Sequence, residues 1–171
     1  MFAKSKQTGG RIEPEHLLGW SLPNALAEES LHEFASRIAH TPFNLLRLAS
    51  WVSFDEAGYV RKPLFLSPEW EIALTCWLAG QSSTMHNHGG SAGVSVVLSG
   101  CLTETHYVQE GGLWMPECQR QVRRHELMVE GRDTVHRVHN ESSQPALALH
   151  FYSPPTQAIA QREDNRVLAT G

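Results

Sequence analysis

Residues 80–88 read GQSSTMHNH and end in two histidines separated by one residue. Side chains alternate between the faces of an extended strand, so we expect His86 and His88 to project from the same side of a strand at residues 84–88. A third imidazole, His136, lies far along the chain in the sequence HRVHN. Imidazoles from two separate segments can converge on one divalent ion. The spacing therefore predicts a metal site in a β-rich protein.

The chain after Gly58 consists of short segments rich in β-branched, aromatic and leucine residues, separated by glycine, proline or polar turns. This pattern predicts antiparallel strands. We expect them at residues 60–66, 71–78, 84–88, 93–98, 101–108, 121–129, 134–139 and 146–152. About eight strands of this kind predict a mainly β fold, a double-sheet jelly roll or a small barrel.

The preceding part, residues 12–55, has a helical pattern. Apolar residues recur at spacings of three and four at Ala27, Leu31, Phe34 and Ile38, which predicts an amphipathic helix. Thr41 and Pro42 have the order of an N-cap and a first helical residue, so a second short helix is expected after them. Both helices are expected to pack on one face of the sheet.

Length and composition indicate one globular domain spanning residues 1–171, with a β-barrel at 56–156 and a polar tail at 157–171. The 171 residues are 41% apolar and carry a formal net charge of −4, so the basic excess typical of nucleic-acid binders is missing. No apolar run reaches the roughly 20 residues that span a bilayer. Three cysteines without CxxC spacing and no hydrophobic leader predict a reducing, cytoplasmic setting without membrane partners.

The histidines stand in a pattern that resembles the first cupin motif, with Gly80, His86, His88 and Gly100 in the matching positions. His136 and Asn140 are similar to the end of the second cupin motif. The glutamate ligand of that family falls at Gly93, which has no side chain. The resemblance implies a cupin double-stranded β-helix whose metal site has three histidines and no carboxylate.

Further segments resemble the cysteine dioxygenase family of thiol dioxygenases, over roughly residues 59–155. They are Cys76-Trp77, the run HRV at 136–138 and the run LHFYSPP at 149–155. The resemblance implies Fe(II) bound by the three histidines, a substrate carboxylate held by Arg61, and His150 and Tyr152 beside the iron. It also implies L-cysteine and O2 as substrates and cysteine sulfinate as product.

Two departures from the family pattern bear on the site. Animal members carry a cysteine at the position of Gly93, cross-linked to the tyrosine that corresponds to Tyr152, so this chain resembles the bacterial members. The family often has a serine where this chain has Ala148, and that hydroxyl is therefore missing from its usual position beside His150.

Alternatives remain open at this point. Related 3-mercaptopropionate dioxygenases tend to carry glutamine at the position of Arg61, and a non-catalytic cupin would use the same histidines to bind zinc or nickel. Arg61 is alternatively a surface residue paired with Glu71 or Asp55, and His150 with Tyr152 alternatively a core pair. A sugar isomerase would usually keep the glutamate that Gly93 replaces. The sequence leaves the oligomeric state undetermined.

Overall fold

Eight antiparallel strands define the architecture of the computed structural model, which describes residues 11–27 and 30–156. The strands are β1 (Val60–Leu66), β2 (Glu71–Trp77), β3 (Ala92–Ser99), β4 (Cys101–Glu110), β5 (Leu113–Arg123), β6 (Leu127–Glu130), β7 (Val135–His139) and β8 (Ala146–Ser153). They form a five-stranded sheet in the order β1-β2-β8-β3-β6 and a three-stranded sheet in the order β5-β4-β7. This mainly β, two-sheet architecture confirms the predicted cupin double-stranded β-helix. The predicted tail at 157–171 lies outside the described residues.

In the described part of the chain, three short α-helices precede the strands: α1 (Pro14–Leu18), α2 (Leu31–Ala39) and α3 (Leu45–Leu48). The predicted apolar stripe is buried on α2 at Leu31, Phe34 and Ile38, but its predicted first member, Ala27, lies before the helix. The Phe34 ring lies 5.0 Å from the Trp70 ring and 6.1 Å from the Phe151 ring, centroid to centroid. The helices thus cover one face of the five-stranded sheet, as expected. Within the described ranges, no helix has the length and apolar character needed to cross a bilayer.

The start of α3 differs from the prediction. Asn44 is its N-cap, because the Asn44 side-chain oxygen accepts a hydrogen bond from the Leu46 amide at 3.0 Å. The Thr41 hydroxyl instead donates to the Arg37 carbonyl at 2.8 Å and so belongs to the end of α2. The predicted cap at Thr41 was wrong because a threonine hydroxyl can bond to backbone groups at either end of a helix.

Two strand predictions were also wrong. Residues 84–88 form no strand; they lie in the loop between β2 and β3, which touches β7 through single bridges at Ser82–His139 and His86–His136. The strand predicted at 121–129 is divided between β5 and β6, because the chain turns at His125 with a left-handed φ of 72°. The predicted strand began at residue 121 and so left out most of β5, which begins at Leu113. Nearly all side chains of β5 are exposed, so the strand lacks the alternation of apolar and polar residues that predicts a strand.

The two central strands β2 and β8 are buried on both faces. Ile72, Leu74 and Phe151 belong to the core shared with the helices, whereas Trp77 and Ala148 belong to a second core between the two sheets. The face of β2 and β8 that lines the space between the sheets also carries polar residues of both strands, such as Thr75 and His150. The register brings these polar residues side by side at the end of the barrel that holds the histidines.

Candidate metal and substrate site

His86, His88 and His136 come together as predicted, and we call them the histidine triad. Their ligand atoms lie within 4.8 Å of one another, and their ring centroids are 4.7 to 5.1 Å apart. The backbone amide of His86 donates to the His136 carbonyl at 2.9 Å, and the His136 amide donates to the His86 carbonyl at 2.8 Å. These two hydrogen bonds join the β2–β3 loop to β7, so backbone pairing replaces the predicted strand as the element that aligns the imidazoles.

Asn140 anchors the other end of this loop. The Gly80 amide donates to the Asn140 carbonyl at 2.8 Å, and the buried Asn140 side chain donates to the Trp77 and Gln144 carbonyls. Gly80 has a left-handed φ of 80°, which a residue with a side chain rarely adopts. The glycine and asparagine of the two cupin-like motifs therefore have a structural part in presenting the histidines.

Burial keeps the imidazoles of His86 and His88 neutral at pH 7. Burial lowers the pKa of His86 to about 4, with a further contribution from the neighbouring charge of His136. Burial also lowers the pKa of His88 well below its ordinary value. Neutral imidazole has a free lone pair on one ring nitrogen, which is the form that binds metal ions. His86 and His88 are thus ready to act as uncharged nitrogen donors.

Hydrogen bonds behind the rings determine which nitrogen faces inward. The His86 Nδ1–H donates to the Thr84 carbonyl at 2.9 Å, and the His136 Nδ1–H donates to the Glu104 carboxylate at 3.0 Å. Both rings therefore carry their proton on Nδ1 and leave the Nε2 lone pair for a ligand. The sequence did not identify these acceptors.

Glu104 is a fully buried carboxylate with several cationic or donor neighbours. Besides His136, it accepts two hydrogen bonds from Arg120, at 2.6 and 3.1 Å, and its Oε1 lies 3.0 Å from His106 Nε2. Burial alone would raise the pKa of Glu104, but the His136 hydrogen bond and the charges of His106 and Arg120 outweigh it and hold the pKa at about 2. Glu104 is ionised, and His106 helps to hold it in place.

Gly93 and Glu130 are register partners on β3 and β6. A Cβ atom at Gly93 would lie 2.4 Å from Cδ1 of Tyr152 and 3.1 Å from a Glu130 carboxylate oxygen, so these two side chains fill the space that a side chain at position 93 would use. Burial raises the pKa of Glu130 to about 7, against the lowering effects of the His136 charge and the Ser95 hydroxyl. The spacing of residues within the cupin-like motif could not reveal Glu130, because Glu130 lies on another strand, 37 positions after Gly93.

His150 and Tyr152 lie on β8 as predicted, facing the same side. The Tyr152 hydroxyl is 3.2 Å from His150 Nδ1, and the Tyr152 ring centroid is 4.6 Å from that of His88. Burial lowers the pKa of His150 to about 3 and raises that of Tyr152 above its usual range, so both groups are neutral at pH 7. This pair borders the triad directly.

The hydroxyl that Ala148 lacks is supplied from the neighbouring strand. Thr75, the register partner of Ala148, has its Oγ1 2.7 Å from His150 Nε2 and accepts a hydrogen bond from Trp77 Nε1 at 2.9 Å. Ser95 places its hydroxyl 2.7 Å from His150 Nδ1 on the other side. A threonine and a serine within otherwise apolar strands were the sequence signal for this arrangement.

Arg61 pairs with Glu71, the partner that the alternative interpretation named. Arg61 Nη1 lies 2.6 Å from Glu71 Oε1, and Nη2 donates to the Thr156 hydroxyl at 2.9 Å. Burial opposes both charges, yet their pairing raises the pKa of Arg61 and lowers that of Glu71. Glu71 is fully buried, whereas the Arg61 side chain remains 30% exposed. Part of the guanidinium therefore stays accessible, while Glu71 and Thr156 hold the group in place.

The residues of the triad fit a divalent transition metal. All three donors are imidazole nitrogens, the buried space around them is polar, and no carboxylate occupies the position of Gly93. A second group, Glu104 with His106 and His136, also has converging donor atoms. In that group, however, the carboxylate is already bonded to Arg120. The triad is thus the better candidate, and three protein ligands leave coordination positions for other molecules.

Comparison with known proteins identifies related sequences. The family model for cysteine dioxygenase type I matches residues 34–165. Cysteine dioxygenase type 1 from Homo sapiens is 28% identical over 113 residues, 63% of this chain and 56% of the human protein. The Bos taurus enzyme is 29% identical over 133 residues, 71% of this chain and 66% of the bovine protein. The chain thus spans little more than half the length of the human relative.

Solved structures show the same fold. The protein TT1209 from Thermus thermophilus has a TM-score of 0.54 at 25% identity, covering 66% of this chain and 96% of that protein. KdgF from a Halomonas species has a TM-score of 0.50 at 18% identity, over 61% of this chain and 86% of that protein. These similarities support the double-stranded β-helix as the scaffold of the site.

Proposed function

Because the chain belongs to the cysteine dioxygenase type I family, we propose that it is an iron-dependent thiol dioxygenase that converts L-cysteine and O2 to cysteine sulfinate. In this reaction both atoms of O2 bond to the substrate sulfur, and the thiol proton is released as the sulfinic acid ionises. The observation that carries the proposal is the three-histidine site, without a carboxylate ligand, beside the buried pair His150 and Tyr152. A cytoplasmic location, expected from the cysteine usage, belongs to the same proposal.

The histidine triad would hold the Fe(II) ion through its Nε2 atoms, because Thr84 and Glu104 hold the Nδ1 protons of His86 and His136. When bound, ferrous iron would stabilise the substrate thiolate and supply the redox chemistry that dioxygen requires, which zinc cannot. Three imidazole ligands would bring no negative charge of their own to the dipositive ion. The site therefore favours an anionic sulfur ligand over a neutral one.

Arg61 would bind the substrate carboxylate. The exposed part of its guanidinium can form charge-assisted hydrogen bonds, and the Glu71 and Thr156 contacts hold the fork in one orientation. Glu71 neutralises part of that charge, so carboxylate binding must compete with an internal ion pair. Competition between the substrate carboxylate and Glu71 for the Arg61 guanidinium would determine the selectivity between cysteine and other thiols.

Tyr152 and His150 would manage the proton next to the reacting sulfur. Tyr152 stays protonated at neutral pH because burial raises its pKa, so its hydroxyl can donate a hydrogen bond to substrate or oxygen atoms. His150 is held between Thr75 at Nε2 and both Ser95 and Tyr152 at Nδ1, so the imidazole is fixed on both sides.

The test is oxygen uptake together with sulfinate formation by the Fe(II)-loaded protein, with cysteine, cysteamine and 3-mercaptopropionate compared. We expect the highest kcat/KM for cysteine, and Tyr152→Phe should lower kcat or the yield of sulfinate per O2 without loss of iron. Preference for 3-mercaptopropionate would replace the substrate assignment with that alternative. Stoichiometric zinc or nickel in the isolated protein, with no thiol-dependent oxygen uptake after anaerobic iron loading, would favour the non-catalytic metal-binding cupin.

A further inference from the structure

Glu130 lies behind the histidine triad, fully buried at the end of β6. Neither of its carboxylate oxygens has a hydrogen-bond partner of normal geometry among the described residues, although the Ser95 hydroxyl lies near enough to lower the pKa of Glu130. Burying a carboxylate without a matched partner is strongly destabilising. Because burial of such a carboxylate is so unfavourable, we expect the contacts of Glu130 to reveal a specific role for it.

Among the described residues, one ring nitrogen of His88 likewise lacks a hydrogen-bond partner. This nitrogen is the buried Nδ1, and it lies 3.6 Å from Glu130 Oε2. The other two members of the triad each have a hydrogen-bond acceptor at Nδ1, the Thr84 carbonyl and the Glu104 carboxylate. His88 needs an equivalent acceptor if its Nε2 is to face the same ion, and Glu130 Oε2 is in position to be one.

Gly93 makes this approach possible. Glu130 and Gly93 are paired across β6 and β3, and a Cβ atom at position 93 would come within 3.1 Å of Glu130 Oε2. With no side chain at Gly93, the Glu130 carboxylate can extend across the register pair toward His88. The Tyr152 ring closes the remaining space beside Gly93.

We propose that Glu130 is the positioning residue for His88: its carboxylate accepts the His88 Nδ1–H and directs Nε2 toward the metal ion. Closing the separation from 3.6 Å to hydrogen-bond length requires only a small movement of one side chain. The inference rests on the metal-binding role of the triad in the proposed function. Glu104 also accepts hydrogen bonds from Arg120, whereas neither oxygen of Glu130 accepts one from an arginine in the part of the chain that the structure describes.

The experiment measures the equilibrium affinity for ferrous iron alone, without thiol or oxygen, by anaerobic competition with a chromophoric chelator. Glu130→Gln and Glu130→Ala are compared with wild type and with Glu126→Gln, an exposed glutamate shortly before β6. Chemical unfolding of the metal-free proteins is measured in parallel. Because no substrate is present, failure of the dioxygenase assignment would not affect either result.

We expect Glu130→Gln to weaken iron binding about 10-fold and Glu130→Ala up to about 100-fold, the range for lost partners of ligating histidines. The metal-free Glu130→Gln protein should be as stable as wild type or more stable, because a buried unpaired carboxylate has been removed. In the zinc-loaded wild type, the His88 Nδ1 proton should give a slowly exchanging nuclear magnetic resonance signal that Glu130→Gln shifts.

Iron affinity within about twofold of wild type in both variants would overturn the proposal, since loss of a hydrogen-bond partner from a ligating histidine should weaken binding at least about tenfold. A metal-free Glu130→Gln protein that is clearly less stable than wild type would also overturn it, because Glu130 would then be a structural residue of β6. The Glu126→Gln control should change neither quantity.

Discussion

Replacing Arg61 would disturb two functions of one side chain, protein stability and substrate binding. Arg61→Ala removes the partner 2.6 Å from Glu71 Oε1 and leaves a fully buried carboxylate without its cation. Breaking a buried ion pair on one side typically costs about 3–5 kcal/mol. The Thr156 amide and hydroxyl still donate to the other Glu71 oxygen, at 2.9 and 2.8 Å, so we expect a loss near the lower end, about 3 kcal/mol.

Glu71→Gln and the double variant Arg61→Ala/Glu71→Gln separate the two functions. The double variant has no buried charge to compensate, so its free energy of unfolding in urea should recover most of the loss seen in Arg61→Ala. The KM for cysteine should remain raised about 10- to 150-fold in the double variant, because a charge-assisted pair worth about 1.5–3 kcal/mol is still missing. Glu71→Gln alone keeps the guanidinium and removes its competitor, so its KM for cysteine should not rise.

The double variant tests the stability role and the binding role of Arg61 independently. If the double variant is as unstable as Arg61→Ala, the Glu71 ion pair is not the source of the instability. If the double variant binds cysteine with the wild-type KM, Arg61 is not the carboxylate-binding residue. The pH dependence gives an independent check, because pairing lowers the pKa of Glu71. The stability advantage of wild type over the double variant should be full above pH 4.5, the ordinary pKa, and should shrink as the pH falls below it.

Three further predictions concern the rest of the site. Thr75→Val should slow turnover and lower the free energy of unfolding by about 1–3 kcal/mol, because the buried His150 Nε2 loses its partner; Thr75→Ser should retain both properties, and equal values in the two variants would assign Thr75 to packing. Gly93→Ala should destabilise by about 1–3 kcal/mol through overlap with the Tyr152 ring, measured by thermal unfolding, and a wild-type midpoint would show that the ring moves freely. His136→Ala should abolish iron retention in metal analysis after desalting; stoichiometric iron would exclude His136 as a ligand.

The local features of the site could be read from sequence. Histidines separated by one residue, a third one within HRVHN, and glycines at fixed distances are patterns contained in short stretches of chain. The alternation of His150 and Tyr152 along β8 is equally local, since a strand repeats every two residues. The helix over Leu31, Phe34 and Ile38 followed from a spacing of three and four in the same way.

The partners of those residues could not be read, because they depend on which strand lies beside which and in what register. Thr75 reaches His150 because β2 pairs with β8, and Glu130 reaches Gly93 because β6 pairs with β3. The sequence of one strand does not indicate which strand will pair with it. The predicted strand at residues 84–88 failed for a related reason: backbone bonds to β7 align His86, and these join segments about 50 residues apart.

The amino-acid sequence by itself thus determined the class of fold and the three imidazoles, because both depend on periodicity and spacing along the chain. Tertiary structure alone decided that Glu71 supports Arg61, that Glu104 holds the proton of His136 and that Glu130 is buried behind His88. These contacts bring charges together across strands, and their free energy depends on burial and distance, which exist only once the sheets have formed.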